Sequence, residues 1–170
     1  MEFPKVLIFS QPFEKSTGGG ITLSNLFKNW SKEKLAVACS GYLLSYNIDT
    51  DVCDNYYQLG YRETKWQFPF SIVQRKYASG PIKFSEKKKI QNVSLPKSEF
   101  RVKLIMKVLI PILDFLGLSH TIIRTKVSGE FINWVKNFNP DVIYVQPTTR
   151  DQILFCLSLH KSMPKPLILH

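Results

Sequence analysis

Cysteine is scarce in this sequence and poorly placed for chemistry. The three thiols, at Cys39, Cys53 and Cys156, are odd in number and far apart, and no CxxC pair occurs. That excludes zinc-ribbon spacing and a disulfide framework, and the expected state is free thiols in a reducing compartment. Long apolar runs are missing too. None approaches the ~20 residues of a membrane span, and the opening run KVLIFSQPF is too short for the apolar core of a secretory signal. The expected setting is the cytoplasm. Histidine is rare, at positions 120, 160 and 170. Neither His120 nor His160 has carboxylates or cysteines at ligand spacing, so both are read as solvated. Acidic side chains are thin in the middle of the chain: residues 61–128 hold 14 basic and 4 acidic groups, against 5 and 6 in residues 1–60 and 4 and 3 in residues 129–170. The net charge of +10 is therefore concentrated in one segment, and such a patch attracts anionic surfaces or phosphorylated ligands.

What is present is the composition of a globular chain. Of 170 residues, 44% are hydrophobic and 13% aromatic, enough for one domain with a sizeable core. Lys5-Val6-Leu7-Ile8-Phe9-Ser10 is a short continuous apolar run, as expected of a strand covered on both faces. A loop from Gln11 to Thr17 leads to Gly18, Gly19 and Gly20. Leu23, Leu26, Phe27 and Trp30 then fall on one helical face. Leu35 to Cys39 reads as a second buried strand. Strand, glycine-rich turn, helix and strand make a βαβ unit, with parallel strands and a right-handed crossover expected.

A third strand is expected near Asn55–Leu59. Residues 62–100 lack periodicity and contain Pro69, Gly80-Pro81, Pro96 and the run Lys87-Lys88-Lys89. They read as a basic insertion with one short helix near Phe70–Tyr77, of a length that points to function or disorder. From Val102 to Leu118 a helical period returns, with Pro111 expected to kink or divide it. Phe131, Trp134, Val135 and Phe138 predict a further helix ended by Asn139-Pro140, and Asp141 is read as opening the strand Val142–Val145. Thr148 and Asp151 fit a capping box for a helix along Ile153, Leu154 and Leu157. Pro166 to His170 begins a fifth strand. The fold class is α/β: a Rossmann-like three-layer domain with a mainly parallel sheet and helices on both faces.

In such sheets ligands bind beyond the carboxyl ends of the strands. The candidates are the turn Ser10–Gly20, the turn Gln146–Thr149, and His170. The glycines let backbone approach a ligand closely, and the helix they open presents free N–H groups suited to phosphate. No Lys-Ser/Thr follows, so this is not a nucleoside-triphosphatase P-loop, and Leu23 occupies the third position of GxGxxG, which disfavours NAD. A turn that merely caps the helix is the alternative. Gln146, Thr148 and Thr149 either touch a ligand or cap the helix behind them.

KVLIFSQPF, GGGITLSNL, DNYYQLG, NWVKNFNPDVIYVQ and PLILH, taken in order, resemble the N-terminal domain of glycosyltransferases with two Rossmann-like halves, the glycosyltransferase-B fold, most of all family four of the retaining enzymes. The likeness covers the first 60 residues and the last 40. It implies an acceptor-binding domain, 1–170, whose nucleotide-sugar donor is held mainly by a C-terminal domain outside this chain. It implies a retaining transfer that needs no metal and no cofactor in this chain, onto a glycan or lipid-linked acceptor. Gly18, Gly19 and Gly20 would face the donor diphosphate, Gln146, Thr148 and Thr149 the acceptor, and His170 the transferred sugar as a catalytic residue. The chain alone is expected to be inactive.

Two other classes stay open. One is a non-catalytic module for a sugar or phosphate ligand. The other is a peripheral membrane adaptor at the inner face of the membrane, because Lys87–Lys89, Arg101, Lys103 and Lys107 lie near the apolar helix 102–118. Nucleic acid has charge alone in its favour, without a helix-turn-helix, RNA-recognition or zinc-finger signature.

Overall fold

A computed structural model describes residues 3–41, 48–82 and 99–170. The strand β1 (Val6–Phe9) lies at the centre of a six-stranded sheet. β2 (Leu35–Ser40) and β3 (Tyr56–Leu59) extend it on one side, and β7 (Val142–Val145) and β8 (Leu167–Leu169) on the other, all parallel. β5 (Gly80–Ile82) is an antiparallel edge strand beside β3. The order β5-β3-β2-β1-β7-β8 is that of a Rossmann-like sheet.

Alternation along the strands builds three layers. Val6, Ile8, Leu35, Val37, Tyr56 and Tyr144 face α1 (Gly18–Leu26), where Leu23 and Phe27 meet them. Leu7, Phe9, Ala36, Ala38, Ile143 and Val145 face the opposite way, toward α4 (Gly129–Phe138) and α5 (Arg150–Ser162). A strand flanked by helices on both sides needs apolar residues at every position, which is why VLIF, LAVA and VIYV carry no alternation. In α4 the reading holds: Phe131, Val135 and Phe138 are buried, and Asn139 ends the helix in the left-handed region at φ 50°.

Two helical faces differ from expectation. Leu26 ends α1 and points outward, so Leu23 and Phe27 alone anchor it, with Trp30 edge-on to Phe27 at 5.1 Å. In α5 the buried residues are Phe155, Cys156 and Leu159, while Ile153, Leu154 and Leu157 are exposed. The Thr148–Asp151 capping box does not form. Thr149 occupies the cap position without a side-chain bond, and the Thr148 backbone N–H and hydroxyl both donate to Gln152 Oε1, at 2.8 and 3.2 Å.

The insertion is structured where it is described. β4 (Thr64–Trp66) pairs antiparallel with β6 (Ile123–Thr125). The helix expected near Phe70–Tyr77 shrinks to a single 3-10 turn at Phe70–Ile72. Gln74 explains this: its Oε1 accepts from Trp66 N–H at 2.9 Å and its Nε2 donates to the Thr64 carbonyl at 2.8 Å, drawing the chain across β4. The helix expected from Val102 runs as α2 (Glu99–Leu104), a π turn over Ile105–Leu109 and α3 (Ile110–Phe115). Pro111 supplies no N–H to the helical ladder, and the irregularity falls in the turn before it; the backbone stays helical through Ile110. Ile105 packs with Phe70 and Ile122 in a small core of its own. Lys87–Lys89 and Pro96 lie outside the described residues.

Glu63 ties the insertion to the main layers. It is 1% exposed, and its carboxylate accepts from Gly60 N–H at 3.0 Å and from Ser79 and Ser128 hydroxyls at 2.5 Å each. Ser128 in turn caps α4 by accepting from Phe131 N–H. Among the described residues no helix is long and apolar enough to cross a membrane.

Candidate functional site

Strand register sets the site. Phe9 lies opposite Val145, and Val145 opposite Leu169. The next residue of each strand therefore stands on one rim: Ser10, Gln146 and His170. Neighbouring strands are ~4.8 Å apart, and the rim is continuous, since His170 N–H donates to the Val145 carbonyl at 3.0 Å and Ser10 N–H to the Ala38 carbonyl at 2.9 Å. From β1 the chain leaves for the α1 face, and from β7 for the α5 face. That divergence opens a crevice between β1 and β7, the switch point at which open α/β sheets bind ligands.

His170 is oriented by two partners. Tyr144 hydroxyl and Gln146 Nε2 both contact its Nδ1, the latter at 3.0 Å, and Gln146 Nε2 also donates to the Tyr144 oxygen at 3.3 Å. Burial pushes the Tyr144 phenol above its usual range, opposed in part by the Gln146 contact, so it stays a donor. Where Nδ1 accepts from these groups, the ring proton is left on Nε2. The Tyr144 ring is itself held edge-on by Phe27 of α1 at 5.5 Å. The imidazole is thus held through Nδ1 on an exposed rim, with Nε2 left to face outward partners.

Ser10 is the strained residue of the rim. Its φ is +86°, a region side-chain-bearing residues rarely adopt, and it is 6% exposed. Its hydroxyl has no hydrogen-bond partner among the described residues. Such conformations cost about 1–3 kcal/mol and gather at ligand sites, and an unpaired buried hydroxyl is uncommon.

The three glycines form the first turn of α1 rather than a loop before it. Thr17 caps that turn, accepting from Gly20 N–H at 3.2 Å and donating to Glu14. Glu14 is 3% exposed, and Gln11 and Ser16 also donate to its carboxylate, at 3.3 and 3.4 Å. A Cβ on Gly20 would fall 2.2 Å from Glu14 Cγ and 2.6 Å from its carbonyl oxygen, so Gly20 serves the packing of Glu14. Gly19 borders the Gln11 amide, and Gly18 has nothing within 4 Å. Of the three, only Gly18 has open space around it.

A cleft of about 470 Å³ continues along the same sheet edge, beyond β2 and β3. Tyr61, Trp66, Arg75, Tyr77, Asp151 and Gln152 line it. Gly41 and Gly60, each following a strand, lie under the Tyr77–Ala78 segment, which a Cβ would strike at 2.6 Å at position 41 and 2.4 Å at position 60. The aromatic walls suit a flat apolar ring face, and Arg75 with Asp151 offers polar contacts to hydroxyl or carboxylate groups.

The sequence candidates thus separate into three places. Gln146 joins His170. Thr149 lines the cleft, whereas Thr148 is bound to Gln152. Gly18 to Gly20 open α1. Sequence reasoning missed Tyr144, the aromatic cleft and the strain at Ser10; the usable signal was a glycine directly after each of β2 and β3. Among the described residues no group of three or more His, Cys, Asp or Glu is arranged to hold a metal ion. No protein-family model, curated protein or solved structure matches the chain.

Proposed function

We propose that this chain is the acceptor-side lobe of a retaining, metal-independent glycosyltransferase of the two-lobed kind its sequence resembles, which moves a sugar from a nucleotide-sugar to a glycan or lipid-linked acceptor. The observation that carries the reading is the oriented imidazole of His170, on one rim with Ser10 and at the switch point between β1 and β7. In this reading His170 Nε2–H donates to a hydroxyl of the transferred sugar. The open N–H groups at the start of α1 favour the donor's diphosphate charge. The cleft beyond β2 and β3 takes the acceptor, with an aromatic wall against a sugar face. The donor's nucleotide is held by a second lobe.

The test is sugar transfer by the complete product of the gene encoding this chain, with a panel of nucleotide-sugars. Transfer is expected, and His170→Ala should lower it by about 10-fold to 100-fold, the loss that follows removal of one buried or charge-facing hydrogen bond. Binding of sugar without any transfer would instead make the chain a recognition module.

A further inference from the structure

The helical segment 99–115 carries a second apolar face. Its inward side, Ile105 with Leu109, Ile110 and Leu113, packs against Phe70 and Ile122. Its outward side repeats the pattern. Phe100, Leu104, Val108, Ile112 and Phe115 are 76%, 47%, 43%, 49% and 91% exposed. They recur at steps of four or three residues and so form one ridge, roughly 20 Å long at the helical rise. Leu116 and Leu118 continue the apolar surface past its end. A helix apolar on all sides is ordinarily buried, and an exposed row of this kind marks a surface meant to be covered.

Charge identifies the cover. Lys103 and Lys107 are exposed, and each directly precedes a ridge residue, so they stand on one shoulder of the row. Residues 99–118 hold three basic side chains, Arg101, Lys103 and Lys107, and two acidic ones, Glu99 and Asp114. The ridge also belongs to the segment 61–128, with its 14 basic and 4 acidic groups. A protruding apolar row with lysines beside it, in a strongly basic part of the chain, matches the apolar-below, phosphate-above layering of an anionic bilayer surface. Lysine stems can lie along the apolar layer while the ammonium groups reach headgroup phosphates.

We propose that this ridge rests in the interfacial layer of an anionic membrane, with the apolar row inserted and Lys103 and Lys107 at headgroup level. The inference does not depend on the reading of the His170 rim. It concerns the outward face of the helical segment 99–115 alone.

Co-sedimentation of the full chain with phosphatidylcholine vesicles, with and without phosphatidylglycerol, tests it. Binding is expected only with the anionic lipid, and is expected to weaken strongly between about 0.1 M and about 1 M salt as screening tightens. The double variant Phe100→Ser/Phe115→Ser changes two highly exposed side chains, so the fold should persist, checked by circular dichroism. It should weaken binding by about 10-fold or more, the scale of losing one buried aromatic. Lys103→Glu/Lys107→Glu should abolish the preference for anionic lipid. Three results would overturn the proposal. One is no vesicle binding at any composition. Another is binding unchanged by the Phe variants. The third is a dimer in sedimentation velocity that the same variants dissociate, which would assign the ridge to a second copy of this chain.

Discussion

Gln146 and His170 end neighbouring strands and meet side by side at the rim of the sheet, the amide nitrogen 3.0 Å from imidazole Nδ1. Together with the Tyr144 hydroxyl on the same nitrogen, this contact favours the tautomer with its proton on Nε2. In the wild-type chain, side-chain nitrogen NMR should report His170 with its proton on Nε2. Tyr144→Phe removes one of the two donors and should raise the population of the other tautomer, while Gln146→Ala should do the same. An Nδ1–H tautomer in the wild type would contradict the geometry.

Ser10 is held at φ +86° with a hydroxyl that has no partner among the described residues. Glycine adopts that conformation without steric cost, so Ser10→Gly should stabilise the fold by about 1 kcal/mol, read from the urea midpoint. If the strain serves the rim, the same change weakens ligand binding. A stability loss would show that the hydroxyl has a structural partner.

The glycine turn should divide under alanine substitution. Gly20→Ala forces a Cβ onto Glu14 at 2.2 Å and should destabilise by about 1–3 kcal/mol. Gly18→Ala meets nothing within 4 Å and should be neutral or stabilising by up to about 1 kcal/mol. Thermal unfolding of the two variants measures the contrast. Equal losses at both positions would argue against the packing role assigned to Gly20.

The thiols are buried and resist ionisation. Burial pushes Cys53 and Cys156 from 9.0 up to about 12, and Cys39 higher than its usual range. Tyr57 is pushed from 10.0 up to about 12, by burial first and by the Glu63 charge second. The folded state therefore keeps these protons longer than the unfolded chain. Their contribution to stability is complete below about pH 9 and falls as pH rises toward about 12. The urea midpoint should drop across that window, and Ellman's reagent at about pH 8 should label the thiols only when the chain unfolds. Rapid labelling of the native chain would contradict the burial.

Much of this was readable in the sequence, for physical reasons. VLIF, LAVAC and VIYV are strands that need apolar residues on both faces, and FxxWVxxF is a helix face written at 3.6-residue spacing. What stayed hidden depends on contacts between distant segments. β4, β5 and β6 span three residues each, too short for a period to register. Gln74 stops a helix through two bonds that no local pattern foretells. His170 was legible as the residue at the carboxyl end of a strand, but Tyr144, which contacts it, reads only as an apolar strand position. Nothing in the letters Phe-Ser-Gln announces the backbone strain at Ser10.

The central claim is that the carboxyl rim of β1, β7 and β8 is where ligand binds. Amide chemical-shift mapping of the isotopically labelled chain, titrated with nucleotide-sugars and soluble oligosaccharides, tests it most directly. Ser10, Gly18, Gln146 and His170 should shift together, with Gly41 and Gly60 at the mouth of the cleft moving as acceptor is added. Rim signals that stay still, with shifts instead at the opposite edge around Lys5 and Asp141, would contradict the account.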